Sequence, residues 1–299
     1  MGASRGKLMQ TYPECIPCVL QASLNAGRLA GADEEKLWQA IAEAAGICSR
    51  WTRKQPPIAL GAAVAKVLRE KLGEGDPFFW AKREGNAKLL SLYPALKARV
   101  RTASDPLDEA LHLAAAANAL DLGVHCEVDF VKTLERALSC PHGHWDLLEL
   151  KEYLAGAEEV LYLADNAGEI VADRILIEEF LELGKRVVLA VRAGPILNDV
   201  TVADLHEVGL PSEVEIITTG SDLPGVFLPR CSPEFQERLR KAKLVVSKGM
   251  GNFEGLSEER GPFFFVLQAK CFPVAKEIGV PVGDLVLLGP GLKGGGLGT

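Results

Sequence analysis

The sequence contains no run of 18 or more uncharged apolar residues and no excess of basic side chains. A membrane-spanning helix needs such an apolar run. The formal net charge is -7, whereas proteins that hold the nucleic-acid backbone need a basic surface. We therefore expect neither a membrane nor a nucleic-acid partner. Residues 1–13 also lack the apolar core of a signal peptide, so we expect a soluble, cytoplasmic protein.

The cysteines do not indicate a disulfide framework. There are seven in 299 residues, an odd number in a chain long enough to bury a core without covalent cross-links. Reduced thiols are the expected state. Cys15 and Cys18 form a Cys-x-x-Cys pair, which is half of a structural zinc site, and the sequence has no second pair of this kind. Buried structural thiols and a metal or redox role stay open for them.

The pattern of apolar residues changes near residue 155. Before it, apolar side chains recur every three to four residues, which predicts an all-helical region over 1–154. After it, short β-branched runs alternate with helical stretches, which predicts an α/β fold with a mostly parallel sheet over 155–289. The Gly-rich tail over 290–299 has almost nothing to bury.

The individual elements follow from the same periodicity and from Gly and Pro at their ends. The predicted helices of the first part cover 17–30, 34–49, 58–72, 79–92 and 106–120. In the second part, β-branched runs over 160–163, 186–191 and 214–218 alternate with helical stretches over 171–183 and 201–208. It resumes over 233–242, 244–246, 263–278 and 285–288.

Three predicted strands end in polar loops that contain glycine. They are Asp165-Asn166-Ala167-Gly168-Glu169, the loop 192–201 with Asn198-Asp199, and Ser247-Lys248-Gly249-Met250-Gly251-Asn252-Phe253-Glu254. Ligands of an open parallel sheet bind outside the carboxyl ends of its strands. The oxygen ligands on offer for Mg²⁺ or Mn²⁺ are Asp165, Asn166 and Asp199. Arg192, Lys248 and the backbone at Gly249 and Gly251 could hold a phosphate.

Each of these features also has an ordinary structural explanation. Asp-Asn before a helix is a common N-cap, and Lys-Gly is an ordinary strand exit. The same holds for Glu169 and Glu254, which fit either an acid or base role or the first turn of a helix. The coincidence of three such loops at three strand ends nevertheless favours a binding site for a phosphate ester.

These segments resemble the signature motifs of the metal-dependent damage-control phosphatase family. The likeness covers nearly the whole chain and is greatest to the short stand-alone members that carry an N-terminal Cys-x-x-Cys. Further matching segments are Cys15-Ile16-Pro17-Cys18, Gly73-Glu74-Gly75-Asp76-Pro77 followed by Lys82 and Asn86, Asn118-Ala119-Leu120-Asp121-Leu122-Gly123, and Lys270-Cys271.

The resemblance implies a helical N-terminal region, a Rossmann-like C-terminal region, and metal-assisted hydrolysis of phosphomonoesters of small metabolites. The metal, which could be Mg²⁺, Mn²⁺, Co²⁺ or Ni²⁺, would be held by Asp165, Asn166 and Asp199. Asp165 and Lys248 would be catalytic, either with an attacking water or with Asp165 as a nucleophile. The expected substrate-binding residues are Arg192, Lys248, Gly249, Gly251, Asn252 and Asn118.

Two other functions stay open from the sequence. A carboxyl methyltransferase would use a Gly-rich loop after its first strand, whereas the segment Asp165 to Gly168 has one glycine. A non-catalytic sugar-phosphate or nucleotide-binding module would keep Lys248 and the glycines but would not need Asp165 and Asp199 together.

Overall fold

The computed structural model describes residues 9–73, 75–120 and 130–290. Its helices are α1 (Cys15–Leu29), α2 (Glu34–Arg50), α3 (Pro57–Leu72), α4 (Phe79–Thr102), α5 (Pro106–Ala117), α6 (Phe130–Ala137), α7 (Leu147–Gly156), α8 (Ile170–Glu182), α9 (Pro233–Lys241), α10 (Gly249–Leu256) and α11 (Phe272–Ile278). Its strands are β1 (His142–Trp145), β2 (Glu159–Leu163), β3 (Arg186–Val191), β4 (Glu215–Thr218), β5 (Val245–Lys248), β6 (Phe263–Gln268) and β7 (Leu285–Leu288).

Several helices begin where a side chain caps the first turn. The Asp33 carboxylate accepts hydrogen bonds from the first backbone N–H groups of α2, and Ser232 caps α9 in the same way. Such caps satisfy donors that have no partner within the helix. α4 instead continues past Pro94 to Thr102, although the apolar pattern predicts an end near residue 92. Its packing against α5 and α8 outweighs the hydrogen bond that proline removes.

The seven strands form one sheet in the order β1-β7-β6-β5-β2-β3-β4. All neighbouring pairs are parallel except β6 and β7. From β2 the chain continues to β3 and β4 on one side, and from β5 to β6 and β7 on the other. The strand order therefore reverses between β2 and β5, which opens a crevice at their carboxyl ends.

The sheet carries a core on each face. Val160 and Tyr162 of β2 lie in one apolar cluster with α5 and α8, whereas Leu161 and Leu163 lie in the other with α10. This alternation follows from the two-residue period of a strand. Because α5 packs on α8, β6 and β7, the helical part and the sheet share a core. The predicted boundary near residue 155 stays a prediction.

β1 corrects the expectation of an all-helical region over 1–154. It lies inside that region and pairs with β7 at the sheet edge. A four-residue strand with the sequence His-Gly-His-Trp is too short and too polar to show an apolar alternation. None of the helices within the described ranges is both long and apolar enough to cross a bilayer.

Candidate active site

The loops that follow β2, β3, β5 and β6 surround a cavity of about 230 Å³ at the carboxyl edge of the sheet. Its remaining wall comes from α1, the start of α3 and Pro224 in the segment after β4. Three of the polar residues predicted from the strand ends, Asp165, Asn166 and Asp199, line this cavity together with Lys270. The cavity coincides with the crevice that the strand order predicts.

Backbone hydrogen bonds hold the loops after β2 and β3 together. Val200 N donates to the Asp165 carbonyl at 2.8 Å, and Ala167 N donates to the Asn198 carbonyl at 2.8 Å. Asn166 and Asp199 face each other in an isolated antiparallel bridge. The side chains of the two loops are therefore set side by side by the main chain, not by contacts between the side chains alone.

The Asp165 carboxylate is fixed through one oxygen. Its Oδ2 accepts hydrogen bonds from Asn118 Nδ2 at 3.1 Å and from Asn166 Nδ2 at 2.9 Å. The backbone of Gly249 packs directly against this carboxylate: a Cβ at position 249 would lie 1.8 Å from Asp165 Oδ2. Gly249 also has a φ of +76°, which glycine adopts without strain. The glycine thus makes room for Asp165, where we expected it to approach an anion.

The cavity concentrates negative charge. Burial raises the pKa of Asp165 well above its usual range, and the charges of Glu169 and Asp199 raise it further, while Lys270 and Arg192 act in the opposite direction. A bound cation would relieve this repulsion.

The donor set also suits a divalent metal ion. Asn166 Nδ2 donates to Asp165 and, at 3.5 Å, to Glu169, and within the described chain its Oδ1 accepts no hydrogen bond. Two carboxylates and an amide oxygen are hard ligands of the kind Mg²⁺ and Mn²⁺ prefer. This set has two carboxylates and one amide. In the described ranges, no group of three or more His, Cys, Asp and Glu side chains is arranged to hold a metal.

Arg192 lies behind Asp199 and does not line the cavity. Its Nε donates to Asp199 Oδ2 at 2.7 Å and its Nη2 donates to Asn252 Oδ1 at 2.9 Å. The side chain is 1% exposed. This placement differs from the phosphate-binding role we expected, because a ligand in the cavity would meet Asp199 first.

Lys248 likewise points away from the cavity and is fully buried. Its Nζ donates to Asp173 Oδ1 at 2.6 Å, to the Ala114 carbonyl at 2.9 Å and to Glu169 Oε1 at 3.3 Å. Burial lowers the pKa of Lys248, but Asp173 and Glu169 more than offset this and the net pKa is raised. Lys248, which we expected to bind the phosphate, thus belongs to a buried ion-pair cluster behind the site.

Asn118 and Asn252 also support the site from behind. Besides its bond to Asp165, Asn118 Nδ2 donates to Glu169 Oε2 at 2.8 Å, and its Oδ1 accepts from Gln268 N at 3.3 Å. Asn252 is fully buried and donates to backbone carbonyls of Ala164 and Lys248. Of the residues expected to touch the phosphate, only Gly251 lines the cavity.

Lys270 is the cavity lysine that the site prediction missed. It follows β6, lines the cavity and donates to the Asn118 carbonyl at 3.0 Å. The sequence stretch 263–278 reads as continuous, whereas the structure divides it into β6 and α11. The strand end at Gln268 that would have marked Lys270 as a site residue was therefore hidden by the apolar run on both sides.

The wall formed by α1, α10 and the loop after β6 carries Cys15, Cys18, Cys271 and Glu254. Burial raises the pKa of Cys15 to about 12 and that of Cys271 to about 11. Neither Cys15 nor Cys18 forms a disulfide with another cysteine of the described chain. Two parts of the matching segments, Glu74 and residues 121–123, lie outside the described residues. Residues 291–299 of the Gly-rich tail also lie outside them.

α4 braces both loops from the helical side. Asn86 Oδ1 accepts from Gly168 N at 2.6 Å, and Asn86 Nδ2 donates to the Asp204 carbonyl at 3.2 Å. Lys82, which is fully buried, bonds Asp204 Oδ2 at 2.8 Å and Asp76 Oδ2 at 2.7 Å. The positions of Asp165 and Asp199 therefore depend on a buried polar network from another part of the chain.

The chain is similar to proteins of a known family. Residues 11–286 match the model of the damage-control phosphatase ARMT1-like domain. A damage-control phosphatase of Pyrococcus horikoshii is 33% identical over 284 residues, which cover 94% of this chain and 98% of that protein. One of Archaeoglobus fulgidus is 32% identical over 285 residues, with coverage of 93% and 98%.

A solved structure shows the same fold. The crystal structure of a family protein from Pyrococcus horikoshii superposes with a TM-score of 0.84 at 33% identity, covering 94% of this chain and 99% of that one. The sequence match and the shared fold span the helical part and the sheet alike. The chain belongs to the damage-control phosphatase ARMT1-like family.

Proposed function

We propose that this protein is a metal-dependent phosphatase that hydrolyses phosphomonoesters of small metabolites. Family membership and the names of the relatives support phosphatase activity. The observation that carries the metal dependence is the juxtaposition of Asp165, Asn166 and Asp199 on one cavity at the crevice between β2 and β5. The substrate is a small phosphorylated metabolite whose organic group occupies the rest of the cleft.

Asp165, Asn166 and Asp199 would hold one divalent cation, with Mg²⁺, Mn²⁺, Co²⁺ and Ni²⁺ as the ions to test. When bound, such an ion polarises a phosphoryl oxygen and lowers the pKa of a nearby water. The protein holds its ligands in place beforehand: Asn118 orients Asp165, and Arg192 with Gly225 N orients Asp199. A fixed ligand set needs little rearrangement during the reaction.

Lys270 is the residue we assign to charge neutralisation at the phosphoryl group. It is a cation on the cavity itself, whereas Arg192 and Lys248 are held behind it by Asp199 and by Asp173. Phosphoryl transfer is accelerated chiefly by positioning and by stabilising charge on the transferred group. Arg192 and Lys248 then act as positioning residues.

Asp165 is assigned as a metal ligand in preference to a nucleophile. Its Oδ2 already accepts two hydrogen bonds and contacts the backbone of Gly249, which favours a fixed ligand. The nucleophile alternative makes a distinct prediction, because an aspartyl-phosphate can be trapped with hydroxylamine. If a radioactive phosphate ester labels Asp165 and hydroxylamine releases the label, Asp165 is the nucleophile and the ligand assignment is wrong.

The proposal is tested by removing the metal with a chelator and adding back each of the four ions. Phosphate release from p-nitrophenyl phosphate and a panel of sugar phosphates should depend on the ion. Asp165→Asn and Asp199→Asn should lose both activity and metal binding measured by calorimetry. The control is Asp222→Asn, because Asp222 is a 47% exposed carboxylate that pairs with Arg69 and does not line the cavity.

Two results would contradict the proposal. One is full activity after complete metal removal, and the other is unchanged metal affinity in both carboxylate variants. Calorimetric binding of S-adenosylmethionine would instead support a methyltransferase. Phosphate esters that bind but stay intact would support a binding module.

A further inference from the structure

Glu254 lines a wall of the cavity to which the proposed metal ligands do not contribute. It lies on α10, the helix that begins at Gly249 against Asp165, and its side chain lines the same cavity as Asp165 and Asp199. In the described ranges its carboxyl group forms no hydrogen bond and no ion pair with a cation. Glu169 has structural partners, because it bonds Asn118 and Lys248. Glu254 has no such partner within the described chain, so its position on the cavity needs another explanation.

The surroundings of Glu254 favour the protonated form of its carboxyl group. Burial raises its pKa to about 8. The charged or titratable groups that share this wall are Glu14, Cys15 and Cys18 from the α1 side and Lys270 and Cys271 from the loop after β6. The pKa of Cys15 and of Cys271 is also raised, so both thiols are uncharged at neutral pH. Glu14 is exposed to solvent.

Hydrolysis of a phosphate ester of an aliphatic alcohol requires a proton donor. When the bond between phosphorus and the ester oxygen breaks, an unprotonated leaving group would depart as a strongly basic alkoxide. A positioned acid lowers this barrier, typically by a factor of about 10² to 10⁴. Asp165 and Asp199 cannot serve as this acid if they bind a cation, because metal binding requires their ionised forms.

We propose that Glu254 is the general acid that protonates the leaving oxygen, and that the substrates are accordingly phosphate esters of aliphatic alcohols. This inference rests on the proposed phosphatase function. A water molecule forms the new bond to phosphorus, the bond to the ester oxygen breaks, and the Glu254 proton moves to that oxygen. The proton released by the attacking water restores the Glu254 carboxyl group, so the products are the alcohol and inorganic phosphate. Acyl phosphates and phosphoanhydrides have weakly basic leaving groups and do not need this donor.

The test compares Glu254→Gln with the wild-type holoenzyme on esters of decreasing leaving-group basicity. The series is propyl phosphate, phenyl phosphate, p-nitrophenyl phosphate and 2,4-dinitrophenyl phosphate, each assayed with saturating metal. We expect kcat/KM to fall by about 100-fold or more for propyl phosphate and by less than about 3-fold for 2,4-dinitrophenyl phosphate. Glu14→Gln, a carboxylate change on the same wall, should leave the ratio between these two esters unchanged.

Each alternative outcome is distinct. An equal loss on all four esters would assign Glu254 a structural role, and an unchanged rate on propyl phosphate would exclude it as the acid; either result overturns the inference. If the wild-type holoenzyme hydrolyses none of the esters, the proposed function itself fails, and the inference fails with it.

A second measurement tests the neutral carboxyl group without activity. A group whose pKa is raised in the folded state stabilises the protein at low pH and loses this contribution as pH rises through the folded pKa. The unfolding free energy of the wild type relative to Glu254→Gln, measured in urea, should therefore decline between about pH 4.5 and pH 8. A difference that does not change with pH would overturn the inference.

Discussion

Position 249 requires glycine because of a side chain from a distant part of the sequence, Asp165. Its backbone occupies the space beside Asp165 Oδ2, where a Cβ would lie 1.8 Å from the carboxylate oxygen. A methyl group there must displace Asp165 or the start of α10. The loop after β5 and the proposed metal ligand after β2 are thus coupled by direct contact.

We predict that Gly249→Ala reduces metal affinity and kcat/KM by about 10² or more, because a displacement of about 1 Å at a catalytic group has effects of this size. Calorimetric metal titration and steady-state kinetics provide the measurement. Gly279→Ala is the matched control, since Gly279 has a φ of +85° and a Cβ at that position would meet no heavy atom within 4 Å. Similar losses in both variants would attribute the effect to backbone strain alone.

The two lysines near the site should respond in opposite ways. Lys248 is fully buried against Glu169 and Asp173, and removing one partner of a buried ion pair typically costs about 3–5 kcal/mol. We predict that Lys248→Met lowers the unfolding free energy by about this amount. Lys270→Met should instead change the unfolding free energy by about 1 kcal/mol or less and lower kcat/KM strongly.

Urea unfolding and kinetics on both variants decide between these assignments. A fully stable Lys248→Met protein with a large increase in KM would restore Lys248 as a phosphate-binding residue. Unchanged kinetics in Lys270→Met would remove Lys270 from the site.

At the scale of elements, α4 connects the helical part to the site loops. Asn86 accepts from Gly168 N and donates to the Asp204 carbonyl, and both contacts are buried. Leaving a buried backbone group without its partner costs about 1–3 kcal/mol. α4 thereby holds the loop of Asp165 and the segment after Asp199 in one arrangement.

We predict that Asn86→Ala lowers the unfolding free energy by about 1–3 kcal/mol and also lowers kcat, since the loop 165–169 loses its brace. Lys88→Ala on the same helix serves as the control, because Lys88 is 47% exposed and surface changes usually stay within about 0.5 kcal/mol. Chemical denaturation and initial rates measure both effects. A destabilised Asn86→Ala variant with wild-type kcat would show that the brace does not act on the site.

Elements with a clear periodic pattern of apolar residues could be predicted from the sequence. Elements whose conformation depends on contacts with distant residues could not. β3 spans the predicted residues, Arg186–Val191, because a buried parallel strand is a continuous apolar run. β1 was missed because its four residues derive their strand conformation from pairing with β7. The continuation of α4 past Pro94 was missed because its packing partners are distant in sequence.

At the scale of the whole molecule, metal binding should stabilise the fold. The proposed ligands come from two loops that adjoin only in the native state, so the ion binds the folded protein alone. At a free concentration of 100 times the Kd, such an ion adds about 2.7 kcal/mol. We predict a higher melting temperature with Mn²⁺ or Mg²⁺ than with a chelator, measured by calorimetry.

Asp165→Asn should abolish this increase, whereas Asp222→Asn should retain it. An equal increase in wild type and Asp165→Asn would place the stabilising ion at another site on the protein.

The α/β class, the family and the side chains at the strand ends could be predicted from the amino-acid sequence alone, because strand and helix periods and short motifs are local properties. Asp165, Asn166 and Asp199 could be grouped in advance because carboxyl ends of parallel strands meet at one edge. Which polar groups face the cavity depends on contacts that form in the folded chain. Lys248 and Arg192 lie at strand ends as predicted, yet buried carboxylates hold them behind the site, and Lys270 faces the cavity instead. The direction in which a side chain points depends on partners far away in sequence, and no local pattern encodes that choice.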